Sequence, residues 1–422
     1  MDAVTPSDYL AAQKAGHPAQ PLSGVFLSDY LKKRPELAKR ALARQAEDSD
    51  YVESLLVRFR NRLPDVLKHA LDQGLLAVGE VNDSAPNAYA KHLGGRRFAV
   101  VFNTGLKSFI YRVTRALATR MAINAEDTVV PFDETCRIIA DIFFWLREAG
   151  SACGPSYEIT DRQVLFGHVL AVHAETFFLA HELGHVFASL TAGGKRGSEP
   201  SRAWDEEFKA DEFAVAMCLA GTRADDLMDS AELAYAGADL ALHIFAGLER
   251  VGVEFERTHP PAAARLQATR EVVRGMCDDE EAHAKVVHMA STIDAVFENI
   301  LGRIASPDYE EFLERAAQQV MQDLESLLDQ CTGDLVPDYI TFKSQCFPLF
   351  NQLHSGQLWR KIAAQAADFF RRADRRASRR SRPDEAEARE NWRAFQKYKL
   401  FMSAVMEMPD DVRTVFEEAL RK

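Results

Sequence analysis

The stretch Phe178-Leu179-Ala180-His181-Glu182-Leu183-Gly184-His185-Val186 sets two histidines four residues apart with a glutamate between them. On an α-helix, residues i and i+4 lie one turn apart on one face. His181 and His185 can therefore turn their imidazoles toward a single point, with bonds to one zinc ion of about 2.0–2.1 Å. Glu182 falls on the adjacent face, where it reaches the open coordination position without being a ligand. The competing reading is chance: a chain of this composition yields one accidental H-E-x-x-H at a frequency on the order of a few per cent. The apolar setting weighs against chance. FFLAHELGHVFASL would bury two histidines and a carboxylate in a hydrophobic helix, and each such group left unpaired costs roughly 2–7 kcal/mol.

Two histidines need a third ligand. The segment DEEFKADEFA offers Glu207 and Asp211, again one turn apart. Glu207 can complete the ligand set, and Asp211 can accept a hydrogen bond from the non-coordinating nitrogen of a zinc-bound histidine, with His181 the nearer choice. Asp205, Glu206 and Glu212 are neighbours, so the segment also reads as a solvated acidic face.

These residues must be carried by elements that bring them together, and helical patterning dominates the chain. Residues 34–77 predict two helices, with Val52, Leu55, Leu56 and Phe59 at helical spacing. LLAVGEV and RRFAVVFN predict a small sheet within 76–103, broken by Gly94-Gly95. Helices are expected at about 106–123 and 132–149, then a long helix capped by Asp161 and running to about 192. After a glycine-rich loop, helices follow at roughly 203–221 and 224–251, and His259-Pro260-Pro261 opens another. From about 280 onward everything reads as helix. The expected fold class is α+β, mostly helical, with an N-terminal helical segment (1–49), a core (50–275) and an all-helical C-terminal module (280–422).

Composition narrows the class of protein. With 422 residues and nearly half of them hydrophobic, a sizeable core can form. A net charge of −12 argues against general nucleic-acid affinity. The N-terminus MDAVTPSDYLAAQK lacks the basic and apolar regions of a secretory signal. Stretches such as ALHIFAGL are shorter than the roughly 20 apolar residues a bilayer requires. The expectation is a cytoplasmic protein with no membrane contact. Its six cysteines form no C-x-x-C pair and read as free, mostly buried thiols.

Taken together, these motifs resemble the gluzincin metallopeptidases of the HtpX and CAAX-prenyl-protease family, over roughly residues 50–275. That family places H-E-x-x-H before E-x-x-x-D on a later helix, matched here by His181–His185 and Glu207–Asp211. PNAYAKHLGGRRFAVVFNTGL (Pro86–Leu106) resembles its N-A-F-A strand, glycine turn, second strand and Gly-Leu helix start. THPPAAARL (Thr258–Leu266) resembles its T-H-P-P-x-x-x-R segment. The resemblance implies one zinc ion per chain, held by His181, His185 and Glu207, and hydrolysis of peptide bonds in an intracellular protein substrate. Glu182 would be the general base and zinc-bound water the nucleophile. His259 would be the second donor to the tetrahedral oxyanion, and Arg265 a brace near the site. The strand at Asn87, Ala88 and Tyr89 would pair with an extended peptide substrate, although it also reads as an ordinary internal strand.

Two other functions remain open. The chain can be a non-catalytic binding or regulatory protein on a gluzincin scaffold. The arginine ridge within Arg371–Arg382 suggests a nucleic-acid partner, but the acids of PDEAEARE offset it and a solvated helix end explains it as well.

Overall fold

The computed structural model describes residues 4–17, 51–122, 127–150, 154–155, 157–191, 200–220, 222, 230–253, 259–305, 308–329, 357–377, 401, 405 and 410–421. The chain divides into two compact units. Met1–Ala19, Arg44–Phe143 and Tyr157–Ser306 make the first; Gln20–Ala43, Phe144–Ser156 and Pro307–Lys422 make the second.

The first unit is a helical assembly around a three-stranded sheet. Its elements are α1 (Pro6–Gly16), α2 (Tyr51–Phe59), α3 (Asp65–Asp72), β1 (Leu76–Val81), β2 (Ala88–His92), β3 (Phe98–Asn103), α4 (Thr104–Ala118), α5 (Phe132–Ala149, entering the second unit at Phe144), α6 (Asp161–Thr191), α7 (Pro200–Ala220), α8 (Ala231–Arg250), α9 (Ala262–Met276) and α10 (Glu280–Ile304). The expected α+β, mostly helical class is the observed one. The sheet runs β1-β3-β2, with β1 parallel and β2 antiparallel to the central β3. Every β3 residue is buried. Alternation along a strand sends successive side chains to opposite faces, and Ala99 and Val101 pack with Val81 and Leu10 of α1 on one of them.

Helix α6 is the axis of this unit and packs against α4, α7 and α8, and beside β2. Its N-terminus differs from the sequence expectation. Thr160, not Asp161, is the cap: Thr160 Oγ1 accepts the Gln163 N–H at 3.3 Å, while Gln163 Oε1 accepts the Thr160 N–H at 3.0 Å. This reciprocal capping box outcompetes a lone aspartate by satisfying two donors at once. Close approach to α8 depends on Gly237, where a Cβ would lie 2.4 Å from that of His173. The expectation that no segment is long and apolar enough to cross a membrane fails for α6, which meets both criteria. Its apolar surface is covered by protein instead: 67% of that window is buried, the pattern of a core helix.

The same helix carries a second polar cluster, on a different stretch from the histidines. Glu175 is fully buried. Its Oε2 accepts a hydrogen bond from Tyr51 Oη, and its Oε1 has no hydrogen-bond partner. Lys107 and Glu80 form an ion pair at 2.5 Å nearby, and Tyr111 Oη bonds His168 Nδ1 at 2.6 Å. Burial raises the Glu175 carboxyl to about pH 8, against the pull of Tyr51 and Lys107. A pKa raised in the folded state stabilises the fold fully below the unfolded value near 4.5, and that contribution is lost as pH climbs toward 8. Thermal unfolding should therefore show a wild-type Tm that falls between about pH 5 and 8. Glu175→Gln should remove most of that slope and be the more stable protein at pH 8, by a few kcal/mol. Parallel slopes for the two proteins would mean that Glu175 does not hold its proton.

In the second unit, α11 (Asp308–Asp329) packs on α12 (Gln357–Ala377), and α12 on α13 (Asp410–Arg421). Phe144, Trp145 and Phe312 form an aromatic cluster, with Trp145 edge-on to Phe312. The end of α12 holds residues 371–377 of the arginine ridge, and 378–382 lie outside the described residues. Cys136, Cys218 and Cys277 are free thiols, the first two buried.

Candidate metal centre

The elements of α6 and α7 converge at one point. Gly184, inside the H-E-x-x-H stretch, lets α7 lie against α6: a Cβ on Gly184 would sit 3.0 Å from Ala210 Cα. That contact brings Glu207, one turn earlier on α7, over the two imidazoles. His181 Nε2 and His185 Nε2 are 3.1 Å apart. Glu207 Oε2 lies 3.4 Å from the first and Oε1 3.3 Å from the second. Each residue offers one donor atom, and the three can hold a metal ion. His181 and Glu207 are buried, and His185 is partly so.

Behind this trio stands an ion pair. His181 Nδ1 bonds Asp211 Oδ1 at 2.9 Å, which directs Nε2 toward His185 and Glu207. Arg265 of α9 grips Asp211 with two bonds, Nε to Oδ2 at 2.8 Å and Nη2 to Oδ1 at 2.7 Å. Its guanidinium also lies over the Phe245 ring at 4.9 Å. Asp211 and Arg265 are 1% and 2% exposed, so each neutralises a charge that would otherwise be stranded.

The protonation pattern follows from these contacts. Burial lowers the His181 pKa, but hydrogen bonds to Asp211 and Glu207 outweigh it and carry it up to about 9. Burial likewise pushes Glu207 and Asp211 upward. The His181 and His185 bonds hold Glu207 well below the usual carboxylate range, and Arg265 holds Asp211 down. The approach of His181 Nε2 to Glu207 Oε2, at 3.4 Å, is an ionic contact without hydrogen-bond geometry, so that buried oxygen has no hydrogen-bond partner.

Glu182 is partly buried beside the trio, within electrostatic reach of His181, His185 and Glu207, and takes a hydrogen bond from the Ala90 backbone. Burial raises its pKa, opposed by His181 and His185. His259, just ahead of α9, brings Nε2 to 3.5 Å from Glu207 Oε1 and is one-third exposed.

Of the predicted strand residues, Asn87 immediately precedes β2 and Ala88 begins it. The bond from Asn103 N–H to Asn87 O and that from Leu93 N–H to Arg97 O fix which positions pair with β3. Hydrogen-bonded positions alternate in an antiparallel ladder, so 87, 89, 91 and 93 turn their backbones inward. Those of Ala88, Ala90 and His92 turn to the open edge. The Tyr89 side chain instead bonds Tyr9 and packs on the α1 side of the sheet. Ala90 was missed by sequence reasoning, because an alanine's backbone amide leaves no trace in residue type.

A second trio, Asp239, His243 and Asp294, also has metal-like composition. Its geometry is that of an ionic clasp. His243 Nε2 is 2.7 Å from Asp294 Oδ1, a hydrogen-bond length. Arg270 already bonds both aspartates, so the cationic position is filled.

Residues 146–287 match the family model described as Peptidase U49. No curated protein and no solved structure matches the chain. The matched stretch contains α6, α7, α8 and α9 entire, and so the metal trio, Glu182, Asp211, His259 and Arg265. It supports a peptidase, acting on protein or peptide, without singling out the HtpX and CAAX-prenyl-protease family.

Proposed function

We propose that the chain is a zinc-dependent endopeptidase acting on an intracellular protein, with one zinc held by His181, His185 and Glu207. The observation that carries this reading is the convergence of the two imidazoles and the Glu207 carboxylate: the two Nε2 atoms are 3.1 Å apart, Glu207 Oε1 is 3.3 Å from that of His185 and Oε2 is 3.4 Å from that of His181. Tetrahedral ligands at about 2.0–2.1 Å from a common ion lie roughly 3.3 Å from one another. The orphaned Glu207 Oε2 supplies a buried acceptor aimed at the same place, and two imidazoles with one carboxylate are a donor set that catalytic zinc uses.

A zinc ion bound there supplies a Lewis acid that activates water and polarises the scissile carbonyl. The chain's own residues do the rest. Glu182 takes the proton from the attacking water and passes it to the leaving amine, its raised pKa suiting both tasks. His259 donates to the developing oxyanion. Asp211, itself clamped by Arg265, fixes the His181 tautomer. The outward backbone groups of Ala88 and Ala90 pair with an extended peptide and align it above Glu182. Recognition through main-chain groups favours a flexible or unfolded segment of the target.

The test is metal content against proteolysis. Purified chain should carry one zinc, lose it together with hydrolysis of an unfolded protein on chelation, and regain both on adding zinc. Hydrolysis that persists after complete zinc removal would sink the proposal. Full zinc with no cleavage of any protein would favour the non-catalytic binding role.

A further inference from the structure

Helix α9 begins directly after His259-Pro260-Pro261, and its first backbone amide is held from outside. Both carboxylate oxygens of Glu249, on the last turn of α8, approach the Ala262 N–H, at 3.1 and 3.2 Å. Pro261, at the cap position, makes no side-chain capping bond, and prolines carry no N–H. Ala262 is thus the first donor this helix presents, and a carboxylate there also meets the positive end of the helix dipole.

The grip reaches back along the chain. Two prolines, with φ fixed near −65° by their rings, separate Ala262 from His259. Pro261 sits at φ −53 and ψ 138. His259, preceding a proline, is confined to extended backbone. These residues form a stiff spacer, so holding Ala262 holds the imidazole that reaches Glu207. The charges agree with this arrangement. Partial burial pushes the Glu249 carboxyl up, and the Ala262 amide, Arg265 and His259 draw it back.

We infer that Glu249 is a positioning residue, setting the His259 imidazole over the metal centre through the Ala262 amide and the Pro260-Pro261 spacer. This rests on the zinc-peptidase reading, with His259 as the oxyanion donor. Glu249 itself touches no reacting atom. A glutamine at this position keeps an oxygen that can accept the Ala262 N–H; an alanine does not.

The full chain, Glu249→Ala and Glu249→Gln are compared by two measurements. The first is steady-state proteolysis with zinc bound. Losing an oxyanion donor outright costs about 10²–10³ in kcat, and a displaced one is expected to cost about tenfold. Glu249→Ala should therefore lower kcat about tenfold with KM and zinc content unchanged, and Glu249→Gln should restore it. The second measurement needs no activity: imidazole resonances of His259 in ¹⁵N-histidine-labelled, zinc-free protein, assigned with a His259→Gln control. Glu249→Ala should shift and broaden them, and Glu249→Gln should leave them in place. His259 resonances unchanged in Glu249→Ala would overturn the inference, whatever happens to kcat. A wild type that hydrolyses nothing would remove the peptidase reading, and the resonances would still decide whether Glu249 places His259.

Discussion

Glu182→Gln is expected to keep its zinc and lose its hydrolysis, with kcat/KM falling about 10³-fold or more. Glutamine matches glutamate in volume and still accepts the Ala90 amide that Glu182 takes, so the local packing is kept. It cannot accept a proton. General acid–base catalysis is worth about 10²–10⁴, and in the proposed mechanism Glu182 serves twice in each turnover, once as base and once as acid. Zinc per chain should match wild type, because Glu182 is not among the three donors within bonding reach of a common ion. Parallel measurement of metal content and kcat/KM separates a lost base from a lost metal. Activity within tenfold of wild type would show that another group moves the proton.

Asp211→Ala should be the most damaging change among residues that touch no substrate. It removes the acceptor of His181 Nδ1 and leaves the Arg265 guanidinium buried without its two bonds. Stranding one member of a buried pair costs roughly 3–5 kcal/mol, and losing the carboxylate behind a metal-bound histidine costs about 10–100-fold in metal affinity. A Tm lowered by about 10 °C is expected, with zinc affinity falling in proportion to the second effect. The double change Asp211→Ala with Arg265→Met is the informative control. It should regain much of the stability, because no charge is then stranded, yet none of the zinc affinity. If the double variant recovered both, Asp211 would matter only as a partner for Arg265.

Much of this architecture is legible in residue types and their spacing. The limits of α5 follow from its apolar period, and α6 ends within a residue of its expected stop. The metal trio was accessible for the same reason: helical spacing alone puts His181 beside His185, and Glu207 one turn before Asp211. What residue types conceal is chemistry carried by the backbone and by contacts distant in sequence. The Ala90 amide bonds Glu182 from an unremarkable alanine. Glu249 reads as one more charge at a helix end until Ala262 is brought beside it. Glu175 lies in an apolar run whose burial can be guessed, but its partner Tyr51 is 124 positions away. The cap of α6 is Thr160 rather than the neighbouring Asp161 because Gln163, three residues on, completes a reciprocal pair with it. Length and hydropathy also misjudge α6 itself, since interrupted apolar runs add up along a helix as continuous surface.

The unpaired side of β2 carries a further consequence. A bare strand margin is a template on which another copy of the same chain can add, and among the described residues no strand pairs with the outer side of β2. The protein meets that hazard with brevity and charge: β2 has only five residues, and the exposed Lys91 and His92 close its far end. Glu182 accepts the Ala90 amide, one of the outward groups of that margin. Under the proposed mechanism the general base thereby doubles as a stopper against self-association, and a guest strand would have to displace it before being cut.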